Sequence, residues 1–251
     1  MRRFVGLLRL LAAAAALTAL VGNFVYVLGF STFTSVNYFS YFTQQSNTAN
    51  AAVLVASGVT ALRGRSESRL FAAVHALVTT YVIVSGVVYA IIVAESVSNG
   101  YPIGVPWSSQ VLHFWIPTFV VVDWIAAPGR TRVSWKVLSV VLVYPIVWGI
   151  ATIVRGAEVG WYPYFFLDPA QVLWPGEYLT YNALALGTIV GVLVGLIALS
   201  HLRPRGDAGA DGAPPRGGGQ AAGAEPSVEG SVDAPGSVGS PVGPGAATRS
   251  R

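Results

Sequence analysis

Six long apolar stretches, parted by short loops whose basic residues fall on alternate sides, restrict this chain to one kind of structure. Residues 10–30, 41–62, 71–94, 108–127, 135–154 and 178–200 are each long enough to cross about 30 Å of hydrocarbon as a helix. Inside lipid only a helix or a closed barrel satisfies its own backbone. These stretches are too long for barrel strands and show no strict alternation. The sequence therefore predicts an all-α fold, a polytopic membrane bundle of six transmembrane helices over residues 1–205. The lipid bilayer is its expected partner and a cell membrane its expected place.

The basic residues predict the orientation. Arg2, Arg3, Arg9, Arg63, Arg65, Arg69, Arg130, Arg132, Lys136, Arg203 and Arg205 all fall on one side, against Arg155 alone on the other. By the positive-inside rule both the N- and C-termini are expected to be cytoplasmic. A basic start followed by Leu10–Ala16 has the outline of a signal peptide. Apolar character continues to Phe30 without a charge, so an uncleaved first helix is expected. Residues 206–251 are Gly, Ala, Pro and Ser with scattered charge and no aromatic, which predicts a disordered cytoplasmic tail.

Composition narrows the function classes. Charged residues make up 10% of the chain against about 25% in ordinary soluble domains. The net charge of +4 gathers at the predicted inner loops, where anionic lipid attracts it, and is no argument for a nucleic-acid partner. The absence of cysteine excludes disulfides, thiolate catalysis and Cys-based metal sites. No nucleophile elbow, zinc-protease, phosphate-loop or dinucleotide motif is present, and neither a metal nor a cofactor is predicted.

Polar residues within the spans are costly in lipid and carry most of the remaining information. On the second span Thr43, Ser46, Asn47, Asn50 and Ser57 fall within an arc of about 100°, which predicts a polar face turned inward. Gln44 and Gln45 lie off that arc and are expected at the water interface. Thr43 and His113 enter from the same side, and Arg155, Tyr181 and Asn182 share their layer. At the opposite side His75 and Asp123 share a depth, which predicts either a His–Asp hydrogen bond or part of a proton path. His201, beside Arg203 and Arg205, is expected to contact lipid headgroups. The aromatic loop from Gly160 to Pro169 reads either as an interfacial belt or as a cover over an outer pocket.

The segments Tyr41-Phe42-Thr43-Gln44-Gln45-Ser46-Asn47, His113-Phe114-Trp115-Ile116-Pro117 with Asp123-Trp124, Tyr144-Pro145, and Arg155-Gly156 with Gly160–Pro169 carry a family likeness. Through them the chain resembles bacterial six-helix integral membrane proteins that are similar to the androgen-induced gene family. Animal members of that family hydrolyse fatty acid esters of hydroxy fatty acids with an intramembrane threonine and histidine. The resemblance implies Thr43 and His113 in those roles and a lipid ester as substrate.

The chemistry would need Thr43 as nucleophile and His113 as the base that takes its proton. Arg155 is the candidate for a substrate carboxylate, Asn47 and Asn182 for the oxyanion, and Trp161 for lining the site. No carboxylate is obviously placed to orient His113; Glu158, Asp168 and Glu177 are outer-loop candidates. Two other classes stay open: a non-catalytic binding or scaffold protein, and a small-molecule transporter. A transporter would be marked by one polar path through both leaflets, whereas the sequence suggests two separate polar layers.

Overall fold

A computed structural model describes residues 1–202 apart from Thr32, Asn99 and Tyr101; the predicted tail lies outside the described residues. Those residues form helices and loops with no strand among them. The helices are α1 (Arg2–Val27), α2 (Ser35–Ser40), α3 (Phe42–Leu62), α4 (Arg69–Ser98), α5 (Trp107–Ala126), α6 (Val143–Val159) and α7 (Gly176–Leu202). A 3₁₀ turn, Trp135–Ser139, leads into α6, and another, Phe165–Leu167, lies in the aromatic loop.

Five of these segments are long and apolar enough to cross a membrane: α1, α4, α5, the stretch Trp135–Val159, and α7. Large apolar side chains such as Leu11, Val21, Val25, Val147, Ile150, Val154 and Leu184 are exposed around them. A water-soluble domain does not present so much contiguous apolar surface. The chain is a multi-pass membrane protein by this measure. The expected second span differs. α3 has the length, 21 residues, but Thr43, Gln44, Gln45, Ser46, Asn47 and Asn50 crowd its first half. Twelve of its residues are buried against neighbouring helices, while Thr48, Ala49, Ala52, Val55 and Ala56 stay exposed along one face.

Small residues let α1 lie close against α3. Ala12, Ala13, Ala16 and Ala19 of α1 are buried. A Cβ added at Gly6 would come within 2.8 Å of the Gly58 carbonyl oxygen, and one at Gly58 within 3.0 Å of the Gly6 oxygen. Close backbone approach of this kind is how helices associate where lipid removes the hydrophobic drive. By contrast α6 joins the bundle through long aromatic contacts, with Trp148 5.2 Å and Tyr144 5.5 Å from the Phe42 ring centre.

The basic end of the bundle holds a buried ion cluster that corrects two expectations. Asp123 does not bond His75. Its carboxylate accepts from Arg9 Nε (3.0 Å), Arg9 Nη2 (2.9 Å) and Arg130 Nη2 (2.8 Å). His75 Nδ1–H instead donates to Glu67 Oε1 at 3.1 Å, and its ring meets Trp124 edge to face. Arg9, read from sequence as a flanking charge, lies two turns into α1 and is buried, since the helix starts at Arg2 rather than at residue 10. His201 donates to the Val133 carbonyl at 2.8 Å and so has a protein partner of its own.

Glu67 makes the cluster acid-sensitive. Burial alone would raise its carboxyl, but the His75 hydrogen bond and the charges of His75, Arg130 and Arg9 outweigh burial and hold it below the usual 4.5. A lowered folded pKa stabilises fully above the ordinary value and is lost as pH falls through the lowered one. Glu67→Gln is therefore expected to lower the melting temperature in detergent at pH 7. The gap from wild type should narrow steadily below about pH 4.5; a gap that widens on acidification would show the opposite linkage.

Candidate functional site

Thr43 and His113 meet at the other end of the bundle. Thr43 stands in the first turn of α3, on the polar arc, and is buried. His113 stands on a π-helical turn, Val111–Trp115, within α5. Two local features account for that turn. Pro117 has no N–H to give the carbonyl four residues back, which is that of His113, and a widened turn accommodates the loss. Gly86 of α4 packs directly on the same carbonyl: a Cβ there would lie 2.6 Å from the His113 oxygen and 2.9 Å from Pro117. Gly86→Ala is expected to push His113 off its position. Any activity that depends on His113 should fall at least about tenfold for a misplacement near 1 Å, with the protein still folded by circular dichroism.

Hydrogen bonds fix the tautomer of His113. Its Nδ1 lies 2.9 Å from the Ser109 carbonyl, which can only accept, so Nδ1 carries the proton. In the neutral ring Nε2 is then the acceptor, and it faces Thr43 Oγ1 at 3.3 Å. Thr43 has one proton, donated to His113, so the Ser85 hydroxyl must donate in the 2.8 Å contact between Ser85 Oγ and Thr43 Oγ1. Tyr89 stacks on the imidazole, with ring centres 3.7 Å apart and planes at 19°. The histidine is held from one side by a hydrogen bond and from its face by an aromatic ring.

The pair opens onto a cavity of about 300 Å³. Tyr26, Tyr38, Tyr41, Tyr89 and Tyr164 give it an aromatic wall, and Pro163 and Tyr164 bring the aromatic loop against it. Tyr164 turns its hydroxyl to the side chain and backbone of Thr43. Burial pushes that hydroxyl up to about 12, so it stays protonated and a donor at neutral pH. A second cavity of about 200 Å³, mostly apolar, lies beside the first between Phe42, Val84, α6 and α7. Ser85, Val88 and Tyr164 line both.

The other predicted site residues stand elsewhere. Asn47 lies one turn behind Thr43, and its Nδ2 donates to the Thr43 carbonyl (3.1 Å) and the Leu112 carbonyl (3.5 Å). It ties α3 to the π turn and does not line the cavity. Arg155 donates to Asn37 Oδ1 at 2.6 Å and lies over the Trp161 ring at 5.4 Å. Trp161 in turn packs edge to face on Tyr41, a wall residue. Asn182 faces the apolar cavity and donates to the carbonyls of Phe166 and Tyr178. Tyr181 packs on Phe165. Gln44 is buried, against expectation, because Asn23 of α1 receives its amide at 3.0 Å; Gln45 donates to Phe39 and accepts from Tyr144.

Ser85, Tyr89 and Tyr164 are the site residues that sequence reasoning missed. Ser85 and Tyr89 lie on an almost wholly apolar helix, where spacing does not distinguish them from packing residues. Tyr164 belongs to a loop that was marked by its aromatic content, though not by its register to Thr43. The chain matches no protein family, no curated protein and no solved structure.

Proposed function

We propose that this protein is an intramembrane lipid-ester hydrolase, with Thr43 as nucleophile and His113 as general base. The observation that carries this is the 3.3 Å approach of Thr43 Oγ1 to His113 Nε2, with Nδ1 already committed to the Ser109 carbonyl. A positioned base can then take the threonine proton as Oγ1 attacks an ester carbonyl. Reach without substrate is commonly looser than in the reacting complex.

In the first step Thr43 Oγ1 bonds to the carbonyl carbon and its proton passes to His113 Nε2. In this reading Tyr164 O–H donates to the oxyanion and Ser85 O–H steadies the attacking oxygen. Collapse breaks the ester C–O bond, His113 returns the proton to the departing alkoxide, and an acyl-threonine remains. Water, deprotonated by His113, attacks that acyl group and releases the acid with Thr43 restored. Arg155, Asn47, Trp161 and Asn182 take supporting parts here: Asn47 positions the π turn, Trp161 and Arg155 brace Tyr41, and Asn182 lines the chain-binding side.

The apolar cavity next to the pair supports a lipid as the substrate, since an acyl chain could lie there with its ester at Thr43. Likeness to the androgen-induced gene family points the same way. In this reading α3 is the sixth span, packed chiefly on α1 and α4, and both ends of 1–205 are cytoplasmic. Thiols introduced at Ser35 would then be labelled from outside intact cells and thiols at Gly64 would not. One observation favours ligand binding without turnover: His113 is oriented by a carbonyl and not by a carboxylate. Purified protein offered long-chain esters decides between them. Hydrolysis that saturates and requires Thr43 supports the enzyme; binding with no acid released supports the alternative.

A further inference from the structure

The ion cluster opens onto a small cavity that the proposed hydrolase does not use. Arg2, Arg9, Arg65 and Arg130 line it, together with Glu67. Arg9 and Arg130 are partly neutralised by Asp123 behind them, while Arg2 and Arg65 are exposed at the mouth. Four guanidiniums thus meet two carboxylates, and the balance is positive. Arg2 is held in place: it donates to the Gly64 carbonyl at 3.3 Å and lies across Gly129, where a Cβ would come within 2.7 Å of its Nη2.

Two residues that line this cavity carry buried polar atoms without a hydrogen-bond partner. Arg130 has a side chain 2% exposed, yet its Nε and Nη1 have no hydrogen-bond partner. Glu67 Oε2, also buried, has none either. Buried polar atoms left unpaired are costly, and such a group calls for a ligand. The donors require an acceptor, and Glu67 Oε2, as a carboxylate, requires a donor. The enclosed space is about 20 Å³, enough for one oxygen-sized atom to enter while the rest of a ligand stays at the mouth.

We propose that this cavity binds a phosphate monoester or free phosphate carrying one proton. The single oxygen that enters is the P–OH, which accepts from Arg130, while the unprotonated oxygens accept from the mouth arginines. Its P–OH donates to Glu67 Oε2. A diester has no such proton, and neither does sulfate, so both present an oxygen to the Glu67 carboxylate and are repelled. A phosphate monoester, whose second ionisation lies near pH 6, retains the proton in part, and free phosphate, the weaker acid, retains it more fully. The same chemistry is found on an inorganic phosphate and on the headgroup of phosphatidic acid.

The full chain, purified in detergent, would be melted with four probes at about pH 5.5, just below the second ionisation of a phosphate monoester. These are inorganic phosphate, sulfate, short-chain phosphatidic acid and short-chain phosphatidylglycerol. At tenfold excess over Kd, phosphate or phosphatidic acid is expected to raise Tm by about 3–6 °C. Sulfate and phosphatidylglycerol should bind at least about tenfold more weakly, the cost of an unsatisfied buried acceptor. A shift from phosphate alone identifies a free phosphate as the ligand, and one from phosphatidic acid alone a headgroup; either supports the site. Arg65→Gln, exposed and outside the Asp123 bonds, should weaken binding about tenfold, and Arg69→Gln, outside the cavity, should leave it unchanged. Sulfate binding as tightly as phosphate, equal losses in Arg65→Gln and Arg69→Gln, or no shift with any probe would overturn the proposal.

Discussion

Thr43→Ala is expected to abolish ester hydrolysis, with kcat/KM falling at least about 10³-fold, and His113→Ala to do the same. The two changes should not add, because nucleophile and base act in one step. Folding should survive both. Thr43 accepts a bond from Ser85, and truncation leaves that hydroxyl facing a cavity that water can fill. Thr43→Ser is the informative companion, since it keeps the hydroxyl and should retain activity that Thr43→Ala loses. Thr43→Val keeps the shape without the hydroxyl and should be inactive. Hydrolysis of a long-chain ester by the four variants in detergent, with melting curves recorded alongside, separates loss of chemistry from loss of fold.

Asp123→Ala should have the largest effect on stability. The Asp123 carboxylate is the shared acceptor for Arg9 of α1 and Arg130 of the following loop, and both guanidiniums are buried. Removing it leaves two buried cations with one remaining acid, Glu67, whose nearest contact to Arg9 is 3.5 Å. Breaking a buried pair from one side costs about 3–5 kcal/mol, since a charge is left without compensation. For a domain of this size that corresponds to a fall in Tm of about 10 °C or more. Asp123→Asn should lie between, as it keeps hydrogen-bond acceptance by one oxygen and loses the charge. Replacing Arg9, Asp123 and Arg130 together by apolar residues of similar volume should recover much of the loss. Failure of Asp123→Ala to lower stability would mean that the cluster contributes nothing to holding α1 on α5.

Much of the bundle could be read from hydropathy because lipid imposes one rule on every span. The polar arc of α3 was equally legible: Thr43, Ser46, Asn47, Asn50 and Ser57 are all buried, as a helical period turned inward requires. What hydropathy could not register is pairing. Arg9 counted as a loop charge until α1 proved to begin at Arg2, and its partner lies more than a hundred residues away. Glu67 and Asp123 sit at the same end of the bundle, so depth alone could not decide which of them meets His75.

The same limit applies at the candidate site. Depth placed Thr43 and His113 in one layer together with Arg155 and Asn182, yet only the first two meet. Angular position around each helix decided the outcome, and the π turn at Val111–Trp115 shifts that angle for His113. Pro117 was the visible sign of the shift. Asn37, which takes Arg155, sits in the short α2, where sequence offered no periodicity to place it.

The most direct measurement is to map the covalent adduct. Purified protein would be treated with a fluorophosphonate or an activated long-chain ester, digested, and its peptides sequenced by mass spectrometry. Thr43 as nucleophile predicts one modified residue, Thr43, with labelling lost in His113→Ala and in Thr43→Val and retained in Thr43→Ser. An adduct on Ser85, 2.8 Å away, or undiminished ester turnover in Thr43→Ala, would contradict it.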